Sequence, residues 1–405
     1  LLSLLSRSLL SLLRAGGSPR AMGIHGLSKL LNDNAPRCVK EHKMDYFAGR
    51  KIAVDASMQI YQFLIAVRQA GGEGQLTNEA GEVTSHLTGM LYRTIRMMEA
   101  GIKPVFVFDG KAPTMKSGEL AKRKERQQAA VVELAKLQEE GGTAEDIEKQ
   151  QKRIVRASRE QSEEVKTLLT LMGVPVLDAP CEAEATCAAL AKADLVYATA
   201  TEDMDALTFA TPKLIRNLNA AEARKLPIVE FDLEAALGPD GLNLSIEQFT
   251  DLCILCGCDY TSSIKGIGPV KALSLIREHN NLEGILAHLR KKHTPEQLKE
   301  MLPDPFPFED ARRLFREAEV VDVSTCSFKW GEPDVEGLKR YLVDEKQFAE
   351  ERVAKAIERL KKCKGKQAQN RLEDFFGKAT VIPAQKRKQP EKKGAKGAAS
   401  KKGKK

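Results

Sequence analysis

The chain has 405 residues, 42% of them hydrophobic and 30% charged, with a formal net charge of +8. This is a globular composition, long enough for two or three domains. No run approaches the roughly 18 apolar residues that a membrane span requires. The charge is unevenly spread. Residues 1–21 carry three Arg and no acid, and residues 384–405 carry ten Lys/Arg and one Glu; taking these +3 and +9 ends from +8 leaves the body at −4. A net-acidic body with basic ends is not the profile of a protein that coats nucleic acid non-specifically. It fits a body that gathers carboxylates in one place.

Taken in order, residues 1–21 are rich in Leu, Ser and Arg, which reads as an organellar transit segment or as translated upstream sequence. An amphipathic helix pattern follows Met22. Residues 51–55 (KIAVD) read as a buried strand ending in Asp55, and Ser57 to Ala70 as a helix carrying Tyr61 and Arg68. A Gly-rich loop spans 71–81, and a helix with Arg93 and Arg96 spans Thr84 to Ala100. Residues 104–109 (PVFVFD) read as a second buried strand, again ending in an acid, Asp109.

Residues 111–172 are charged and helix-forming, broken at Gly141-Gly142 into two arms. The first arm holds Lys116, Lys122, Arg123, Lys124 and Arg126; the second holds Lys149, Lys152, Arg153, Arg156 and Arg159. Such a segment is either a solvated helical hairpin or a basic arch for a nucleic-acid backbone.

Residues 174–177 add a strand. The stretch from Cys181 to Asp205 then gives an acid pair (Glu182, Glu184), a helix (Ala183 to Ala193), an apolar strand (Leu195 to Ala200) and a second acid pair (Asp203, Asp205). In a parallel sheet such loops lie at the carboxyl ends of strands, where ligands bind. Four carboxylates together would repel one another unless cations neutralised them, and hard ions such as Mg²⁺ take oxygen ligands.

A further strand is expected at 228–231 and a helix at 246–258, which carries Cys253, Cys256 and Cys258. No second ligand pair follows these thiols, which argues against zinc; on a buried helix face they act as small hydrophobes. Eight unpaired-looking Cys suit a reducing compartment. Gly266-Ile267-Gly268 then leads into Pro269 at a helix start, a turn able to hold a phosphate. Residues 281–362 read as helical, with PDPFPF (303–308) as a loop and Trp330 in a satellite core. From Lys364 the composition reads as disordered, except for an island in which Leu372, Phe375 and Phe376 face one way and suit a partner's groove.

Several stretches together resemble the eukaryotic flap endonucleases of the XPG family. They are MGIHGLSKLL, KIAVDASMQIYQFLIAVRQ, SHLTGMLYRTIRMMEAGIKPVFVFDGKAP, KSGELAKRKER, LMGVPVLDAPCEAEA, ATEDMDALTF and DLCILCGCDYTSSIKGIGP. The resemblance runs from Met22 to about Arg359, and QNRLEDFF resembles the family's motif for the sliding clamp, proliferating cell nuclear antigen.

It implies a PIN-like α/β sandwich with a mostly parallel sheet, a helical arch or cap, a helix-two-turn-helix and a disordered basic tail. The implied organisation is an extension (1–21), nuclease regions at 22–128 and 129–278, a helical region at 279–362 and a tail at 363–405 with the clamp motif at 369–376. One Mg²⁺ would be held by Asp55, Asp109, Glu182 and Glu184, and a second held or supported by Asp203, Asp205 and Asp259. Lys116 and Arg123, with Asp205, would be catalytic. Tyr61, Arg68, Arg93, Glu182, Gly257 and Asp259 would contact DNA, with Gly266 and Gly268 gripping the duplex beside a K⁺ ion. Gln369, Leu372, Phe375 and Phe376 would bind the clamp.

The resemblance also implies a 5′-flap endonuclease and 5′–3′ exonuclease working by two metal ions, in Okazaki fragment maturation and long-patch base excision repair. Its DNA would be a branched duplex with a 5′ flap. Localisation would be nuclear (nucleolus and nucleoplasm), with a mitochondrial or plastid pool if 1–21 is a transit peptide. The alternatives are an exonuclease-type, gap-cutting or Holliday-junction relative, a topoisomerase-primase type site, and a non-catalytic clamp-binding DNA scaffold.

Overall fold

Seven short segments, most of them apolar, form the strands of one sheet. These are β1 (Val39–His42), β2 (Lys51–Asp55), β3 (Lys103–Phe108), β4 (Val176–Asp178), β5 (Ala198–Ala200), β6 (Lys213–Arg216) and β7 (Ile228–Asp232). Their order is β1-β7-β6-β5-β2-β3-β4. β6-β5-β2-β3-β4 are parallel, and β7 pairs antiparallel with both β1 and β6. The computed structural model describes residues 23–69, 84–218 and 226–367. Residues 1–21, the loop at 71–81 and the clamp motif at 369–376 lie outside them, as do the side chains of Arg68 and Lys152.

The helices, in chain order, are α1 (Leu27–Asn34), α2 (Ala56–Gln69), α3 (Ser85–Glu99), α4 (Ser117–Glu139), α5 (Ala144–Ile154), α6 (Arg159–Leu171), α7 (Ala183–Lys192) and α8 (Asp205–Thr208). They continue with α9 (Leu233–Leu237), α10 (Ile246–Cys256), α11 (Pro269–His279), α12 (Leu282–Lys292), α13 (Pro295–Met301), α14 (Phe308–Arg316), α15 (Val335–Lys339) and α16 (Glu350–Gln367).

The central strands are covered on both faces, which is why they read as continuous apolar runs. Alternation sorts their side chains. Ile52, Val54, Phe106 and Phe108 pack with α3, α6 and α16 on one face. Ala53, Val105 and Val107 pack on the other against Ala183, Cys187, Leu190 and Ala191 of α7. That small-residue face brings α7 close to the sheet. A third cluster joins Leu214 and Phe231 to α1, α10, α11 and α12. Cys253 and Cys256 are buried in it, as the apolar helix face predicts. Trp330 packs against the α7 cluster and donates from Nε1 to the Pro104 carbonyl at 2.9 Å.

Three expectations need correction. β1 and β6 are strands that periodicity missed, because each offers only four residues, two of them charged, at the centre of β1 (Lys40, Glu41) and at the ends of β6 (Lys213, Arg216). The apolar run at 195–200 yields strand only from Ala198 to Ala200, since Asp194 turns into the left-handed region (φ 54°) just before it. The second arm of the charged hairpin ends at Ile154. Arg156 lies in a connector, and Arg159 opens α6, whose Val165, Leu168 and Leu169 are core residues. A capping box marks that start: Ser158 Oγ accepts from Gln161 N, and Gln161 Oε1 accepts from Ser158 N.

Candidate active site

The chain runs from β2 to β3 on one side, while β5 flanks β2 on the other. The crevice above that reversal is where open α/β sheets bind ligands. Asp55 is the last residue of β2, Asp109 follows β3, and Thr201 and Asp203 follow β5. Glu182 is the N-cap of α7, Glu184 lies in its first turn, and Asp205 begins α8.

The acids are tied into the backbone. Asp55 Oδ1 accepts from Met58 N at 2.9 Å, and its Oδ2 accepts from Thr201 Oγ1 at 2.9 Å. Thr201 Oγ1 accepts in turn from Asp203 N at 3.2 Å, and Asp203 Oδ1 accepts from Asp205 N at 2.9 Å. Asp109 Oδ1 accepts from Ala183 N at 2.8 Å. It thereby satisfies one of the donors that the start of α7 leaves unpaired. Gly23 packs so tightly here that a Cβ would lie 1.9 Å from Asp203 Oδ1, and its φ of +77° favours glycine independently.

Crowding shows in the protonation equilibria. Burial, then the charge of Asp109, pushes the Asp55 carboxyl up to about 7. Burial, followed by Asp55, Asp109 and Asp203, raises Glu184 well above the carboxylate range. Asp203 and Asp205 are raised too, first by burial.

Two bases of the arch answer this charge. Lys116 Nζ bonds to Glu182 Oε1 and lies 3.2 Å from Asp259 Oδ2. Burial disfavours its ammonium, but Glu182, Glu184 and Asp259 outweigh that and raise its pKa. Arg123 Nη2 donates to both Asp259 oxygens, at 3.0 and 2.8 Å. Tyr260, which sequence reasoning passed over, donates its phenol to Glu182 Oε2.

As they stand, no three described Asp, Glu, His or Cys side chains are set at ion-gripping spacing. A Lys ammonium lies among them instead. The cluster thus already takes a positive charge, between Glu182 and Asp259. Asp205 Oδ1 is buried with no hydrogen-bond partner among the described residues, a sign of a missing one. An all-oxygen donor set suits Mg²⁺.

Besides Glu182, the residues expected to contact DNA are spread over α2, α3 and the stretch between α10 and α11. Tyr61 on α2 is half-buried; burial pushes its phenol up, and the Arg123 charge opposes that. Arg68 lies on the same helix. Arg93 on α3 donates to the Gln59 carbonyl at 3.2 Å, its guanidinium 5.0 Å from the Phe63 ring centroid. Gly257 leaves α10 at φ +97°, with His25 and Ser263 closing on it. Gly266 (φ +81°) and Gly268 precede α11, and a Cβ on either would meet nothing within 4 Å. No protein neighbour fills that side of the turn among the described residues, and Val270 beside it is 77% exposed.

The missed partners of the site are Tyr260 and Thr201. Gly23 opens the GIHG stretch ahead of α1, which the resemblance already sets close to the cleft. Thr201 and Tyr260 are single residues without a pattern.

The chain matches the XPG N-terminal domain over residues 22–130 and the XPG I-region over residues 173–259. It is 55% identical over 381 residues to Flap endonuclease 1 of Micromonas commoda, covering 93% of this chain and 97% of that one. It is also 55% identical over 374 residues to Flap endonuclease 1 of Xenopus tropicalis, covering 92% and 95%. Among solved structures, it resembles the catalytic core of Rad2 in complex with DNA substrate at TM-score 0.63 and 29% identity, covering 84% of this chain and 100% of that one. Flap endonuclease-1 from Methanococcus jannaschii matches at TM-score 0.60 and 29% identity, covering 82% and 97%.

Proposed function

The chain belongs to the flap endonucleases of the XPG family, and from that premise we propose how its own residues carry out the cut. It is a structure-specific DNA nuclease, a hydrolase that cuts phosphodiesters at 5′ flaps near junctions of single- and double-stranded DNA and acts as a 5′–3′ exonuclease. It works in Okazaki fragment maturation and long-patch base excision repair. The observation that carries the residue roles is the acid cluster at the sheet's reversal with two arch bases reaching into it.

Asp55, Asp109, Glu182 and Glu184 would hold one Mg²⁺, and Asp203, Asp205 and Asp259 would hold or support another. When bound, the two ions supply positive charge and Lewis acidity to an in-line displacement at phosphorus. Lys116 and Arg123 exchange their carboxylate partners for the scissile phosphate and offset charge that grows on its oxygens. Water attacks phosphorus and the bond to the 3′ oxygen breaks, leaving a 5′-phosphate and a 3′-hydroxyl.

Bringing a junction phosphate to the acids requires unpaired bases, at a cost of a few kcal/mol. Stacking on Tyr61 and phosphate contacts from the arch, Arg68 and Arg93 offset that cost. Gly266 and Gly268 let a duplex backbone approach closely, with K⁺ as the partner cation. Gln369, Leu372, Phe375 and Phe376 dock on the sliding clamp. The protein acts in the nucleus, including nucleolus and nucleoplasm, with an organellar pool if residues 1–21 serve as a transit peptide. Among the described residues no helix is long and apolar enough to cross a membrane.

The deciding experiment follows a labelled 5′-flap duplex with and without Mg²⁺. We expect Mg²⁺-dependent release of the flap with a 3′-hydroxyl. Tight flap binding without cleavage at any Mg²⁺ concentration would instead make the chain a clamp-bound scaffold.

A further inference from the structure

Glu182 is shared by three parts of the fold. It caps α7, its Oε1 bonds to Lys116 from the root of the arch, and its Oε2 bonds to the Tyr260 phenol. Tyr260 is 5% exposed, and its ring lies 4.8 Å from Phe315, which packs 5.2 Å from Phe209. Its backbone is fixed as well. Gly257 turns the chain out of α10 at φ +97°, and a bridge between Cys258 and Thr261 closes the loop around it.

Packing alone does not hold the Glu182 side chain. Glu182 and Tyr260 both line a cavity of about 360 Å³, whose other walls include Pro113, Met115 and Leu314. A carboxylate bordering such a space has somewhere to swing. Of its two restraints, the ammonium is the one that leaves when Lys116 turns to a phosphate, so the phenol is the restraint that remains. Tyr260 also immediately follows Asp259. One residue therefore joins an acid of the first ion's set to an acid of the second's.

We propose that Tyr260 is a positioning residue whose hydroxyl fixes the Glu182 carboxylate for ion binding, a role that rests on the two-ion reading above. Groups that orient a ligating side chain typically change metal affinity or activity by about 10–100-fold when removed.

The test is Tyr260→Phe, which keeps the ring and its contacts with Phe315. Mn²⁺ binding is measured by electron paramagnetic resonance on full-length protein without DNA. Flap affinity and melting temperature are measured in EDTA. We expect the Mn²⁺ midpoint to rise about 10-fold, with the EDTA melting temperature and flap affinity close to the parent's. A double-mutant cycle sharpens this: if the hydroxyl acts through Glu182, Tyr260→Phe adds little once Glu182→Gln is present. An unchanged Mn²⁺ midpoint in Tyr260→Phe overturns the proposal. So does full additivity in the cycle, or a Mn²⁺ loss that comes with a collapsed melting temperature. Failure of the parent itself to bind Mn²⁺ would overturn the ion-site reading along with it.

Discussion

The carboxylate cleft and the helical arch are built in opposite ways. In the cleft every acid but Asp259, which follows the end of α10, descends from a strand end or a helix start, and hydroxyl and backbone bonds join Asp55 through Thr201 to Asp203 and Asp205. In α4, 23 residues long, only Ala130 is buried. Leu120, Val131 and Val132 face solvent, and the hairpin turns at Gly141-Gly142. Regions with few buried apolar contacts open at low free energy, while core-anchored regions open only with the whole fold. In the proposed mechanism the cleft therefore fixes positions in advance, and the arch delivers Lys116 and Arg123 to them. One region supplies geometry, the other access.

The largest test of that division is Asp205→Ala. It removes a buried acid while leaving the arch intact. Cleavage should fall by roughly 10²–10³-fold or more, the scale of losing a preorganised electrostatic partner, with flap binding in Ca²⁺ retained. Near-full cleavage in Mg²⁺ would break the two-ion assignment.

Arg123→Ala attacks the delivery side. Single-turnover rate should drop by about 10²-fold with flap affinity changed far less, because the proposed mechanism uses the guanidinium mainly in the transition state. A loss confined to affinity would return the arch to a solvated hairpin that merely touches DNA.

Phe375→Ala with Phe376→Ala touches neither region. Stimulation by the sliding clamp should disappear while intrinsic cleavage stays at the parent level. Equal stimulation of variant and parent would remove the docking role of the tail.

The smallest effect is one of stability. The folded-state carboxyl of Asp55 sits at about 7 rather than 3.8, so the folded protein holds a proton that the unfolded chain releases. That stabilising contribution is complete below about pH 4 and is lost as pH rises through 7. Asp55→Asn cannot ionise. In EDTA its melting temperature should approach or fall below the parent's at pH 5 and exceed it by about 2–4 °C at pH 8. A difference independent of pH would mean that crowding does not govern the metal-free cleft.

Asp55 and Asp109 were legible because each ends a run of buried residues, a position that surface acids do not occupy. The acid pairs were not legible by themselves, since such pairs are common on solvated surfaces; the two strands ending in Asp tipped the reading. Lys116 and Arg123 came only with the family resemblance, because on a charged helix every base looks alike. Thr201 and Tyr260 were not legible. Their roles depend on which oxygen they reach across the fold, to Asp55 from 146 residues away and to Glu182 from 78. The false extension of the second arm past Ile154 was avoidable, since the Ser158 to Gln161 spacing already announces a helix start.

The alanine face of α7 has a consequence of its own. Ala183, Cys187 and Ala191 lie between the helix and the sheet like a shim of set thickness. That thickness determines how far Glu182 and Glu184 stand from the acids on the strand ends. A single added methyl group at such a contact is felt in a close-packed interior, and a displacement of about 1 Å can cost a reaction 10²-fold. The spacing of the cleft's acids is thus set by side chains packed beneath them, and inherited variation at those alanines would act as a change of dimension.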